Sequence, residues 1–167
     1  MLIRFPVSAK KARSAPSSFQ TIHHQLRLRT EEYLQFIDLT EQIISLTQAS
    51  GISQGFVNIQ TRHTTTAIIV NEHEPLLLED LKRTLEHLAP RTIAYRHDDF
   101  EVRTENLTPD EQPNGHAHCK ALFLRSSETI NIINGRLDLG RWQRIFFIEL
   151  DCARERTVSV TLLGQTE

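Results

Sequence analysis

Four apolar, strand-like runs follow one another through the last third of the chain, at about His116–Leu124, Thr129–Ile133, Trp142–Leu150 and Thr157–Leu163. The first two are joined by the short polar link Arg125–Glu128, and Asn134-Gly135 supplies a tight turn after the second. Strands this close in sequence pair antiparallel, because a parallel pair needs a crossover of about a dozen residues or more. A doubly wound parallel sheet is therefore disfavoured.

Earlier segments extend the pattern. From Ile22, the residues Ile22, His24, Leu26 and Leu28 alternate with His23, Gln25, Arg27 and Arg29, as a half-buried strand requires. A short apolar stretch runs from Tyr33 to Ile37. Phe56–Thr61 and Thr65–Val70 are rich in β-branched and aromatic residues and read as strands, with His63 between them. Thr40 is placed to cap a helix carrying Ile43, Ile44, Leu46 and Thr47 on one stripe, with Glu41 at its positive end and Gly51 as its stop. The clearer helix covers about Glu74–Ala89, where Leu77, Leu78, Leu81, Leu85 and Leu88 recur at helical spacing before Pro90. The fold class is α+β, with an antiparallel β-sandwich-like core and two main helices.

A chain of 167 residues with 39% hydrophobic content supports one core. Residues 1–18 hold Arg4, Lys10, Lys11 and Arg13, no acid and no apolar periodicity, so they read as a disordered tail ahead of a single domain over 19–167. Setting those four charges aside leaves 15 basic against 21 acidic residues, about −6, which argues against a nucleic acid partner. No apolar run reaches the roughly 18 residues that cross a bilayer. Cys119 and Cys152 form neither a C-x-x-C pair nor a disulfide framework, and a soluble protein of the reducing cytoplasm is expected. Neither GxGxxG nor GxxxxGK[ST] occurs, so dinucleotide-binding and P-loop chemistry are not indicated.

Chemistry-bearing residues gather where these segments end. Residues 98–115 have little apolar content and form a long loop, which in a compact domain is functional or mobile. The loop ends on Asn114-Gly115-His116-Ala117-His118, and on a strand His116 and His118 share a face and can coordinate one ion together. Equally, one ring can be the functional one and the other merely polar. His63 heads His63-Thr64-Thr65-Thr66, whose hydroxyls can anchor an anion or orient the imidazole. His97 precedes Asp98 and Asp99. Glu72, after the apolar strand, suits a general base, a metal ligand or a charge at a helix N-terminus. Gly140-Arg141-Trp142-Gln143-Arg144 can stack a ring and hold phosphate, or Trp142 is a core or interface residue. Glu149, Asp151, Arg154 and Arg156 suit an ion-pair cluster or a phosphate site.

The segments HTTTAIIVNEHEP, HLAP, NGHAH and GRLDLGRWQRIFFIELD, in this order and followed by a basic closing strand, resemble the YjbQ-like family, described as secondary thiamine-phosphate synthases. The resemblance covers the chain from about residue 20. It implies a sandwich-like α+β protomer, a homotrimer, and a histidine-lined site with a divalent metal in some members. Zinc suits the imidazoles, and magnesium suits a diphosphate. The implied activity joins a hydroxymethylpyrimidine diphosphate to a thiazole phosphate. Alternatives are a trimer that binds a metal or phosphorylated metabolite without turnover, or a metal-dependent hydrolase. Position by position, His63, His97 and His118 match the family histidines and are the expected metal ligands, with His118 and Glu72 catalytic. Asn71, Gly140, Trp142, Gln143 and Arg154 match substrate-binding positions. His116 stands where relatives often carry aspartate, and Cys152-Ala153 replaces a usual Gly-Pro.

Overall fold

The structure, a computed structural model, describes residues 18–166. The expected tail over 1–18 lies almost wholly outside the described residues. In chain order the elements are β1 (Phe19–Arg29), β2 (Gln35–Asp38), α1 (Thr40–Ser50), β3 (Ile52–Thr61), β4 (Thr66–Glu72) and α2 (Pro75–Leu88). A 3₁₀ turn at Arg96–Asp98 and an irregular stretch lead to α3 (Gly115–Ala121), β5 (Ser127–Ile133), β6 (Arg136–Leu137), β7 (Gln143–Glu149) and β8 (Glu155–Thr166). Among the described residues the strands form a five-stranded sheet, β1-β8-β3-β5-β6, and a three-stranded sheet, β2-β7-β4, with every pairing antiparallel. The α+β sandwich expected from the sequence is the architecture found.

Helices α2 and α3 add a third layer, and β7 shows why. Its run Ile145-Phe146-Phe147-Ile148 is apolar at every position, which suits a strand covered on both faces. Ile145 and Phe147 join Val57, Ile59, Ile68 and Val158 between the sheets. Phe146 and Ile148 point the other way and join Ala67, Leu85 and Ala117 beneath the helices. All four are fully buried, and each contributes about 1.5–3 kcal/mol of apolar transfer.

Local chemistry sets the element ends. Gly51 closes α1 at φ 68°, and Asn134-Gly135 turns β5 into β6 with φ 52° and 72°, the left-handed pair that a two-residue hairpin needs. Pro75 starts α2, and the Glu74 carboxylate caps it by accepting from Leu76 N and Leu77 N. Thr40 is not the cap of α1. Leu39 holds that position, while the Thr40 hydroxyl accepts from Ile145 N and ties the helix to β7.

The main correction concerns residues 116–124. They begin as helix α3, not as a strand. Gly115–Phe123 contains no β-branched residue, whereas Ala and Lys favour helix. Asp98 Oδ1 accepts from the amides of Asn114 and Gly115 at 2.9 and 2.8 Å and satisfies the first donors of the helix. Among the described residues no helix is long and apolar enough to cross a membrane.

Candidate active site

Strands β3, β4, β7 and β8 have one set of ends together, and there a cavity of about 830 Å³ opens beside α3 and the 103–112 stretch. The link from β3 to β4 is closed by its own side chains. The hydroxyls of Thr61 and Thr66 bond to each other, and His63 N donates to Thr61 Oγ1. The hydroxyls of Thr61 and Thr66 therefore shape the turn. The imidazole is held instead by β8, where Thr157 N donates to His63 Nε2 at 2.9 Å. An amide N–H only donates, so Nε2 carries the lone pair and the ring proton sits on Nδ1. Burial lowers the His63 pKa, and the charges of Arg156 and Arg62 lower it further, so the ring is neutral at neutral pH.

His97 lies in the 3₁₀ turn and His118 on α3. Gly115 brings them together: a Cβ there would stand 2.5 Å from Tyr95 Cβ, so only glycine lets the helix start this close. The two rings meet with centroids 4.6 Å apart at 63°. Burial depresses His118, with His97 and Arg103 adding to it. Arg103 organises the long stretch. Its Nη1 donates to Glu111 Oε1 at 2.6 Å and reaches His97 Nε2 and the His97 carbonyl at 3.1 Å, while Nε and Nη2 bond the carbonyls of Glu105 and Asn106. Arg103 in turn holds the Glu111 carboxyl below its usual range.

The wall from β7 and β8 is built on a buried ion pair. Glu149 is fully buried and accepts from Arg156 Nε and Nη2 at 2.6 and 2.7 Å, with Asp151 N and the Thr30 hydroxyl completing its shell. Arg156 also reaches Thr65 Oγ1 at 3.3 Å. Its charge is thereby neutralised. Arg154 is exposed at the rim, with Nε 3.2 Å from Cys152 Sγ and Nη2 2.9 Å from Asp151 Oδ2, the latter out of hydrogen-bonding line. Arg62 is exposed and, among the described residues, has no carboxylate partner. Arg103 and Arg156 are each met by a carboxylate, Glu111 and Glu149, and Arg154 lies beside Asp151, so Arg62 is the guanidinium that brings an unpaired charge to the cleft among the described residues.

His63, His97, His118 and Arg154 thus line one cavity. The three imidazoles do not present three lone pairs to one point. Thr157 N–H occupies that of His63, and the Arg103 guanidinium, which can only donate, occupies that of His97. Among the described residues, no three His, Cys, Asp or Glu side chains are arranged to hold an ion. As arranged, the set does not fit a three-imidazole metal.

His116 and His118 also part company. Two helical steps rotate a side chain by about 200°, so His118 faces the cavity while His116 is buried against Tyr33, ring centroids 5.4 Å apart. Asn71, Glu72, Gly140, Trp142 and Gln143 form a second group. Glu72 pairs with Gln143, whereas Thr66 pairs with Glu149, six residues away along β4. At about 3.3 Å per residue the two groups are about 20 Å apart. Gln143 Oε1 accepts from Gly140 N in the turn before β7, and Trp142 is 61% exposed under Arg141. Trp142 is no core residue. Sequence reasoning missed Arg62 and Arg103. The first has a usable signal, a basic residue at a strand end beside His63; the second sits in an aperiodic stretch and has none.

Fold and cleft define the class: an antiparallel sandwich with one helical layer and a cleft lined by arginine and imidazole side chains where the strands end. The UPF0047 protein YjbQ-like family model matches residues 24–165, and the chain belongs to that family. It is 37% identical over 141 residues to a UPF0047 protein of Methanothermobacter thermautotrophicus, covering 84% of this chain and 91% of that one. It is 31% identical to UPF0047 protein YugU of Bacillus subtilis, covering 83% and 97%. Among solved structures, a YbjQ-like protein of unknown function from Sulfolobus solfataricus superposes with a TM-score of 0.78 at 30% identity, covering 88% and 99%.

Proposed function

We propose that the cleft binds a phosphorylated small molecule, and that the protein acts as a thiamine-phosphate-synthase-like transferase. The observation that carries the binding reading is Arg62 and Arg154 at the rim of a cavity with neutral imidazoles inside. Guanidiniums with spare donors suit phosphate oxygens, and charge that develops on a departing diphosphate is stabilised by such fixed donors. In the reaction, the ring nitrogen of a thiazole phosphate forms a bond to the methylene carbon of hydroxymethylpyrimidine diphosphate. The carbon–oxygen bond breaks, and diphosphate leaves with its electron pair. His118, neutral and with a lone pair free among the described residues, accepts a hydrogen bond or proton from the ligand. No step is routed through a metal.

Glu72, Asn71 and Gln143 serve this reading only from another copy. A homotrimer in which one chain's cleft meets the Glu72–Gln143 end of its neighbour's β4–β7 pair, a head-to-tail contact that closes into a ring, would bridge their separation of about 20 Å, taken from the strand rise. The experiment is calorimetric titration of inorganic diphosphate into wild type, Arg154→Ala and His118→Ala, followed by mass spectrometry of wild type with both substrates. Saturable binding that Arg154→Ala weakens about tenfold, with substrate turned over, is expected. Binding without product leaves a phosphometabolite-binding protein. No binding refutes the reading. Elemental analysis of the same samples tests the divalent metal: one zinc per protomer, lost in His118→Ala, would mean that the rings turn from the bonds described.

A further inference from the structure

The two sides of the cleft differ in hydrogen-bond polarity. On the strand side, at the β3–β4 and β7–β8 links, stand Arg62, His63 and Arg154. A guanidinium only donates, and the His63 lone pair is taken by Thr157 N, so Nδ1–H is what that ring has left to offer. These groups suit phosphate oxygens. On the opposite side, α3 with its cap and the 103–112 stretch bring Asn114, His118 and Asp110 to the same cavity.

Asn114 holds the cap position of α3, where an asparagine ordinarily accepts from an amide of the first turn through its own side chain. It makes no such bond here. Asp98 Oδ1 takes the amides of Asn114 and Gly115 instead, and the asparagine oxygen is left over. Asn114 is 6% exposed, and its Oδ1 is buried without a hydrogen-bond partner among the described residues. An acceptor shut away like this costs free energy until a donor meets it. Held by no hydrogen bond of its own, the amide can turn about Cβ–Cγ and bring this oxygen to the cavity that Asn114 lines. His118, four residues on, lies over the same helical face, and burial keeps its ring neutral with one lone pair. Asp110 is exposed on the neighbouring loop and has no cation within ion-pair distance among the described residues. This side accepts.

We propose that the cleft takes a two-ended ligand: a phosphate ester whose oxygens meet Arg62 and His63 Nδ1–H, and whose far end gives an N–H to Asn114 Oδ1, with His118 and Asp110 beside it. The inference rests on the phosphate-binding reading and adds to it the second group that the cleft recognises, an amine. An ionised phosphate only accepts, so by itself it leaves the α3 side unmet. A site built around a ligand's donor rejects an analogue that lacks it, because the site's own acceptor then stays unpaired. Asn114 is thereby the specificity-determining residue of the cleft.

The test compares two probes of one shape, 4-aminophenyl phosphate and 4-methylphenyl phosphate, by calorimetric titration into the full chain. The amine should bind about tenfold tighter than the methyl compound. Asn114→Leu should bring the two within about twofold of each other while the methyl compound binds as before. Asn114→Asp keeps acceptors at this position and removes the amide donors, so the preference should survive in it; that variant also guards against a leucine that disturbs the cap. His63→Ala should weaken both probes alike. Equal binding of the two probes to wild type overturns the inference and leaves the phosphate reading standing. A preference that persists in Asn114→Leu, or is lost in Asn114→Asp, overturns the role given to the Asn114 oxygen. If neither probe binds, the phosphate reading fails and the two-ended ligand fails with it.

Discussion

Glu149→Gln tests the foundation of the cleft. Glu149 is fully buried and Arg156 is 5% exposed, and two hydrogen bonds of 2.6 and 2.7 Å join them. Glutamine keeps one acceptor and turns an NH₂ toward guanidinium donors, so one bond is lost and the Arg156 charge is left buried without a counter-ion. Breaking such a pair from one side costs about 3–5 kcal/mol, a large share of the 5–15 kcal/mol that stabilises a typical domain. At about 2–4 °C per kcal/mol for a chain of this size, the melting temperature should fall by roughly 6–20 °C. Calorimetric or circular-dichroism melting measures it. The double variant Glu149→Leu, Arg156→Met removes both charges and should recover most of the loss, since an apolar pair of similar volume is often neutral or better. A single variant that melts within about 1 °C of wild type would refute the reasoning, as would a double variant less stable than the single.

Two further outcomes follow from the site. Burial lowers the pKa of His63, His116 and His118, so the unfolded chain takes up protons at a higher pH than the folded one; stability is full above about pH 6.5 and falls as pH drops below it. Melting temperature against pH should show this slope, and His116→Phe should shrink it. Gly115→Ala puts a Cβ within 2.5 Å of Tyr95 Cβ, and overpacking of this kind costs about 1–3 kcal/mol. Urea unfolding should report that loss, and unchanged stability would show that the turn has room to shift.

The residues brought to the cleft were legible because they sit at element ends. Phe56–Thr61 and Thr65–Val70 read as strands by their β-branched patterns, so His63 between them had to lie at a sheet end. His97 and His118 border a stretch without periodicity, which keeps them off the core. The alternation from Ile22 to Leu28, the leucine stripe of α2 and the Asn134-Gly135 turn likewise carry their own local physics. The Gly115–Ala121 helix was not legible in the same way. Its lack of β-branched residues favours helix, but the apolar run is too short to show a period, and its first amides are satisfied by Asp98, a residue 16–17 positions earlier.

What the sequence determined by itself is the antiparallel class and the positions of most elements, because side-chain period and turn chemistry act within a few residues. Only the tertiary structure decided which of them meet. It put His118 beside His97 and turned His116 toward Tyr33, since helical and extended backbones send the same i, i+2 pair to different places. It bound the lone pair of His63 to Thr157, 94 residues away, and divided the family-matched residues between the two ends of the β4–β7 pair. Hydrogen-bond partners and strand register are long-range quantities, set by packing the layers together, and no local pattern encodes them.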